Sequence, residues 1–190
     1  MLKKDTSQPF INVSDMSLTE KQKEAIDMYT SGESLWINNY LRNRNMNSLN
    51  TAHKKKMKLY STLINDLINS SPISKKETKV YRGAEAMFDN WKELKSGTEL
   101  LFTEKGIIST SFNRKVALDF IEEDDNCCLL VLRLPKGTKG LYLNTLSAFR
   151  DLEEDELLLP HGSKFIVKTR RTNIFYGKSI LTYYADLISQ

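Results

Sequence analysis

A chain of 190 residues with 40% hydrophobic and 27% charged side chains holds enough apolar material for one buried core and is read as a single domain over 1–190. No apolar run approaches the roughly 18 to 20 residues of a membrane span, and Met1-Leu2-Lys3-Lys4-Asp5 lacks the apolar stretch of a signal peptide, so a cytoplasmic protein with no membrane partner is expected. The net charge of +4 permits an anionic ligand or a nucleic acid without demanding either. Cys127 and Cys128 are adjacent in an apolar run, and His53 and His161 lie far apart, which speaks against a disulfide framework and against a metal site.

Residues 1–16 read as a loosely held tail. Ser17-Leu18-Thr19-Glu20 has the hydroxyl-then-Glu spacing of a capping box and predicts a helix start. Ala25, Ile26, Met28 and Tyr29 follow, and Gly32 is placed to end that helix. A second helix is predicted over Ser34 to Arg42 and a third over Thr51 to Asn69, where Met57, Leu59, Tyr60, Leu63, Ile64, Leu67 and Ile68 recur at helical spacing. Lys54, Lys55, Lys56 and Lys58 are read as a solvated face of that helix, with a nucleic-acid patch as the other reading. The stretch 17–70 is thus a helical layer.

After Ser70-Ser71-Pro72 the pattern turns to short β-branched runs. Strands are predicted at Thr78–Gly83, Gly106–Phe112, Cys127–Leu134, Gly140–Leu143, Glu156–Leu159, Lys164–Lys168 and Ser179–Leu187. Helices are predicted over Ala86–Leu94 and, capped by Asn113, over Arg114–Ile121. The fold class is α+β: an N-terminal helical layer followed by a two-sheet, mostly antiparallel β-sandwich spanning 78–188.

Three motifs on these strands carry chemistry. Arg82 offers a planar fork of donors suited to a diphosphate, and the next residue, Gly83, lets a ligand approach the backbone. Ser109-Thr110-Ser111 is a small-hydroxyl strand in which Ser109 and Ser111 share a face. Glu154 and Glu156 are two apart at the mouth of an apolar strand, so an extended chain would turn both carboxylates to one site. Taken singly, each has an ordinary explanation: a surface ion pair, an edge strand, a wet acidic turn.

Their order is more informative. It resembles the arginine, Ser-Thr-Ser, Glu-x-Glu signature of the ADP-ribosyltransferases related to clostridial binary toxins, the vertebrate arginine-specific ectoenzymes and the small Alt/Mod enzymes of T-even bacteriophages. Tyr29 and Ile37-Asn38-Asn39-Tyr40-Leu41-Arg42 are similar to the helical wall of the donor pocket in the toxin branch. The resemblance covers about Tyr29 to Phe165, and the small size is most like the phage enzymes.

The resemblance implies NAD as co-substrate, no metal, and transfer of ADP-ribose to a protein side chain, arginine where Glu stands at position 154. It implies Glu156 as the catalytic carboxylate, Glu154 toward the acceptor, Arg82 and Gly83 at the donor, and Ser109 holding Glu156. Thr110, Ser111, Tyr29, Asn38 and Phe120 would complete the donor site, and Phe149 would lie in the acceptor-recognition loop 144–152. Phe120 is read equally as a core residue, and Phe149 as packing beneath its loop. Beyond Phe120, where the toxin branch carries a further arginine, Glu122 and Glu123 stand instead. The phage branch implies acceptors in a bacterial host cytoplasm, such as RNA polymerase or ribosome-associated proteins. Two other readings stay open: an NAD glycohydrolase with water as acceptor, and a noncatalytic nucleic-acid or protein-binding module.

Overall fold

The computed structural model describes residues 9–44, 49–85, 99–121, 127–143 and 155–190. The helix expected at Ala86–Leu94, the loop with Phe149, and Glu122, Glu123 and Glu154 lie outside the described residues.

Helix α1 (Glu20–Met28) starts two positions later than the Ser17 box predicts. Thr19 is the cap: its Oγ1 accepts from Gln22 N at 3.3 Å, and Gln22 Oε1 accepts from Thr19 N at 2.9 Å. Gln at the third helical position closes the box as Glu would, and Thr-x-x-Gln overlaps the expected motif. Gly32 ends the first helical run as expected, by leaving helical geometry at a kink between two helices. Gly32 takes φ 98° and ψ −10°, and α2 (Ser34–Arg42) begins directly after this kink. That left-handed backbone is one glycine adopts without penalty.

Helix α3 (Thr51–Ser70) is capped by Asn50, whose Oδ1 accepts from His53 N at 2.9 Å. Its buried stripe of Met57, Tyr60, Ile64, Leu67 and Ile68 packs with Ala25, Ile26 and Ile37 into the helical core. Lys55 and Lys58 are exposed. Residues 9–16, expected as part of a loose tail, are docked: Phe10 and Val13 are buried, and Tyr142 N donates to Ile11 O at 3.2 Å.

The strands are β1 (Thr78–Glu85), β2 (Leu100–Thr103), β3 (Ile108–Ser111), β4 (Cys127–Leu134), β5 (Leu141–Tyr142), β6 (Glu156–Leu159), β7 (Lys164–Phe175) and β8 (Lys178–Ser189). Among the described residues they run in the order β2-β7-β8-β4-β1-β3-β6-β5. Only β4 and β8 pair in parallel. β1 pairs with β4 along its whole length, but with β3 through a single position, Tyr81 opposite Ser111. One apolar cluster joins Val80, Leu130 and Phe165 of the larger wing to Ile108, Leu157 and Leu159 of the smaller. The two sheets expected from the sequence are therefore two wings of one hydrogen-bonded sheet, divided at β1 and β3.

Alternation along β6 explains how this places the site. Leu157 and Leu159 enter the cluster between the wings, and Leu158 enters the helical core. Glu156 takes the same side as Leu158, at the open end of the strand. Burying each leucine stabilises the fold by about 1.5–3 kcal/mol, so the three fix the strand that carries the acid.

Three elements differ from the sequence expectation. β2 is an edge strand of four residues with alternating exposure, too short and too half-buried to show a period. β7 and β8 run on to Phe175 and Ser189 around a turn in which Tyr176 and Gly177 take φ 50° and 78°. The polar outer half of β7, with Arg170-Arg171-Thr172-Asn173, carries no hydrophobic pattern.

Candidate active site

A pocket of about 390 Å³ opens where the α1–α2 junction meets β1, β3, β6 and helix α4 (Arg114–Asp119). Tyr29, Arg82, Gly83, Ser109, Thr110, Ser111, Phe120 and Glu156 all line it. Residues more than a hundred positions apart in sequence thus share one cavity.

Glu156 opens β6 directly across from Ser111, and Ser109 faces Leu158. From two pairs along, on the same face, Ser109 Oγ donates to Glu156 Oε1 at 2.5 Å, a short, charge-assisted bond that sets the carboxylate's orientation. Arg82 Nη1 donates to the Ser109 carbonyl at 2.7 Å, so the arginine braces the strand that holds the acid. Thr110 Oγ1 donates to Leu157 O at 2.8 Å and ties β3 to β6. Ser111 Oγ accepts from Asn113 N at 2.9 Å, next to the cap of α4, where Asn113 Oδ1 accepts from Lys115 N.

Tyr29 is buried, and its hydroxyl donates to Ile107 O at 3.2 Å while accepting from Asn38 Nδ2 at 3.3 Å. Burial pushes its phenol up to about 12, and the negative charge of Glu156 adds to that; Arg82, Asn38 and Arg42 act the other way. The phenol is therefore a neutral donor across the neutral range. Asn38, expected among the donor-binding residues, sits behind Tyr29 and not in the pocket wall. Its Oδ1 accepts from Ile107 N at 2.8 Å, which ties helix α2 to the backbone entering β3.

Three further expectations are refined. Gly83 lines the pocket and is also required by the fold itself: a Cβ there would run into the Ala117 carbonyl and lie 3.2 Å from Phe120 Cβ. The glycine lets α4 lie against β1. Phe120 is 62% exposed and faces the pocket, so the core reading of this residue is set aside. The strand-spacing argument for the acid pair also fails at its middle residue. Asp155 has φ 43° and precedes the first strand residue, Glu156, so the chain is not extended through Asp155.

The sequence did not single out Glu104. Its carboxylate accepts from Arg42 Nε at 2.9 Å and from Gly106 N at 2.6 Å, and both side chains of the pair are only 10% exposed. Glu104 also bonds through its backbone to Gly162 and Ser163 in the turn after β6. A Cβ at Gly106 would lie 2.8 Å from Asn38 Oδ1 and 2.9 Å from Arg42 Nη2. The only sequence signal is an acid shortly before the glycine that leads the Ser-Thr-Ser strand. Thr30, Gly32, Ser34, Tyr81, Val116 and Ala117 also line the pocket and were not anticipated. Among the described residues no group of three or more His, Cys, Asp or Glu side chains is placed to hold a metal ion, and no helix is long and apolar enough to cross a membrane.

The sequence model of the family described as ADP-ribosyltransferase exoenzyme matches residues 10–188. The NAD(+)–arginine ADP-ribosyltransferase EFV of Enterococcus faecalis is 30% identical over 159 residues, which is 80% of this chain and 29% of that protein. The chain thus spans less than a third of that relative's length. Plx2a, an ADP-ribosyltransferase toxin from Paenibacillus larvae, has a TM-score of 0.67 at 27% identity over 90% of this chain and 88% of the other. The Vis toxin of Vibrio splendidus, at 19% identity, shares the fold with a TM-score of 0.66 over 90% of this chain and 74% of its own.

Proposed function

The chain belongs to the ADP-ribosyltransferase exoenzyme family, and we propose that it transfers ADP-ribose from NAD to arginine side chains of proteins, releasing nicotinamide. The observation that carries this is the 2.5 Å bond from Ser109 Oγ to Glu156 Oε1, which fixes a carboxylate in the pocket wall beside Arg82 and Tyr29.

Loss of neutral nicotinamide leaves positive charge on the ribose. A carboxylate held in advance at that point stabilises charge that develops only in the transition state. Glu156 has that position, and Ser109 removes its rotational freedom. Arg82 brings a permanent cation to the pocket, suited to the donor's phosphates. Phe120 presents an aromatic face to the cavity, on which a flat donor ring can stack.

Arginine is favoured as acceptor because Glu154 supplies a carboxylate that can pair with a guanidinium and help remove its proton. The relative named for arginine supports the choice. Phe149 would help recognise the acceptor. The phage-like assignment, with RNA polymerase or ribosome-associated proteins as acceptors in a host cytoplasm, is part of the same proposal and rests on the family resemblance drawn from the sequence.

The test is transfer of label from adenine-labelled NAD into bacterial lysate by wild type, Glu156→Ala and Glu154→Ala. Discrete labelled proteins with wild type, none with Glu156→Ala, and NAD hydrolysis without transfer with Glu154→Ala are expected. Labelled RNA polymerase or ribosomal proteins would support the phage-like assignment, and labelling of other proteins alone would reject it. Free ADP-ribose without labelled protein from wild type would point to a glycohydrolase. No nicotinamide release from folded wild type would leave the binding module.

A further inference from the structure

We infer that Asp155 is a positioning residue: the Tyr142 hydroxyl grips its carboxylate, and the left-handed turn so held delivers Glu156 to Ser109. This rests on the proposed transferase reading and adds to it a residue pair that sets the catalytic carboxylate's orientation.

Among the described residues three that are not glycine have positive φ: Asn43, Asp155 and Tyr176. Asn43 ends helix α2, and Tyr176 sits in the β7–β8 turn beside Gly177, both ordinary places for such backbone. Asp155 instead stands at the entry of the strand bearing the candidate catalytic acid. Aspartate tolerates this region better than most side chains, but tolerance does not select it.

Three hydrogen bonds do. Tyr142 Oη donates to Asp155 Oδ1 at 2.5 Å. Phe112 N, at the end of β3, donates to Asp155 O at 3.2 Å, and Leu143 N donates to Glu156 O at 2.9 Å. Tyr142 is itself fixed, being buried with its ring edge-on to Phe112 at 5.6 Å. The peptide between Asp155 and Glu156 is thus clamped between β3 and β5. Rotation of the backbone at Asp155 toward the extended region would swing the first residue of β6 away from Ser109. The side-chain bond from Tyr142 is the one anchor of the three that depends on side-chain identity.

The experiment is steady-state nicotinamide release with NAD, with thermal unfolding in parallel, for wild type, Tyr142→Phe, Asp155→Ala, Asp155→Gly and Asp155→Asn. Tyr142→Phe, Asp155→Ala and Asp155→Gly should each lower kcat about tenfold with KM for NAD within about twofold, as expected of a misaimed catalytic group. Asp155→Asn keeps an acceptor oxygen for the tyrosine and tolerates positive φ, so it should hold kcat within about threefold of wild type. Wild-type kcat in Tyr142→Phe, or in Asp155→Gly while Asp155→Ala is impaired, would overturn the inference by showing that the anchor is irrelevant. A loss that appears only as a lowered unfolding temperature, or as a raised KM, would overturn it as well. If Tyr142→Phe does not fold, the contrast between Asp155→Asn and Asp155→Ala decides alone. An inactive wild type defeats the transferase reading and this inference together, whereas an active wild type with indifferent variants defeats this inference only.

Discussion

The sheet side and the helix side of the pocket are held by different forces. On the sheet side, Arg82, Ser109 and Glu156 form a chain of hydrogen bonds at 2.7 and 2.5 Å, backed by the buried Arg42–Glu104 pair. On the helix side, α4 lies against β1 because Gly83 has no side chain, and Phe120 projects with 62% exposure. Directional bonds fix atoms within tenths of an ångström, while packing fixes volumes and leaves an exposed ring free to adjust. The sheet wall should therefore respond to the loss of single atoms, and the helix wall to changes of bulk.

The largest effect is expected from Arg42→Ala, which leaves the Glu104 carboxylate buried without its cation. Removing one partner of such a pair costs about 3–5 kcal/mol, read as a lowered denaturant midpoint. Pairing Arg42→Met with Glu104→Gln should recover part of it, because no buried charge then lacks a partner. Gly83→Ala tests the other wall. Its methyl would press on the Ala117 carbonyl and force α4 outward, at about 1–3 kcal/mol of stability, and KM for NAD should rise more than kcat falls.

Phe120→Ala should leave stability within about 0.5 kcal/mol, as usual for an exposed site. It should raise KM for NAD up to about tenfold, equivalent to about 1.4 kcal/mol of lost stacking. An unchanged KM would remove the ring from the donor site.

The smallest effect at neutral pH comes from the buried titratable groups. Tyr29 and Cys128 are raised from 10.0 and 9.0 to about 12, in both cases chiefly by burial. Each folded pKa exceeds its unfolded value, so the stabilisation is fully present below pH 9 to 10. It is lost as pH rises from there through about 12, at up to about 1.4 kcal/mol per pH unit for each group. Chemical denaturation between pH 7 and 12 measures this, and Tyr29→Phe should show a shallower alkaline decline than wild type.

The parts of the molecule legible in sequence are those where burial imposes a period or a run. The α3 stripe, the apolar run of β4, and Leu157-Leu158-Leu159 bounded by Pro160 all declared themselves. The convergence of Arg82, Ser109 and Glu156 was legible as an ordered set of motifs resembling a known family. Their contacts were not, because these depend on register: Ser109 reaches Glu156 only because Ser111 pairs with that residue. Glu104 stayed hidden because a lone acid in a turn carries no pattern. The packing reason for Gly83 was invisible because the sequence cannot show that α4 lies across it. The acid pair was read as extended, yet Asp155 departs from strand geometry for reasons that reside in Tyr142 and Phe112.

The most direct test of the central claim compares nicotinamide release and NAD binding by wild type and Glu156→Gln. The variant keeps the shape of the side chain while removing its charge, so NAD binding should persist. Release should fall about 100- to 1,000-fold, the usual effect of losing a preorganised electrostatic partner. Equal release by both proteins, or no NAD binding by either while both are folded, would contradict the assignment of Glu156 and of the pocket it lines.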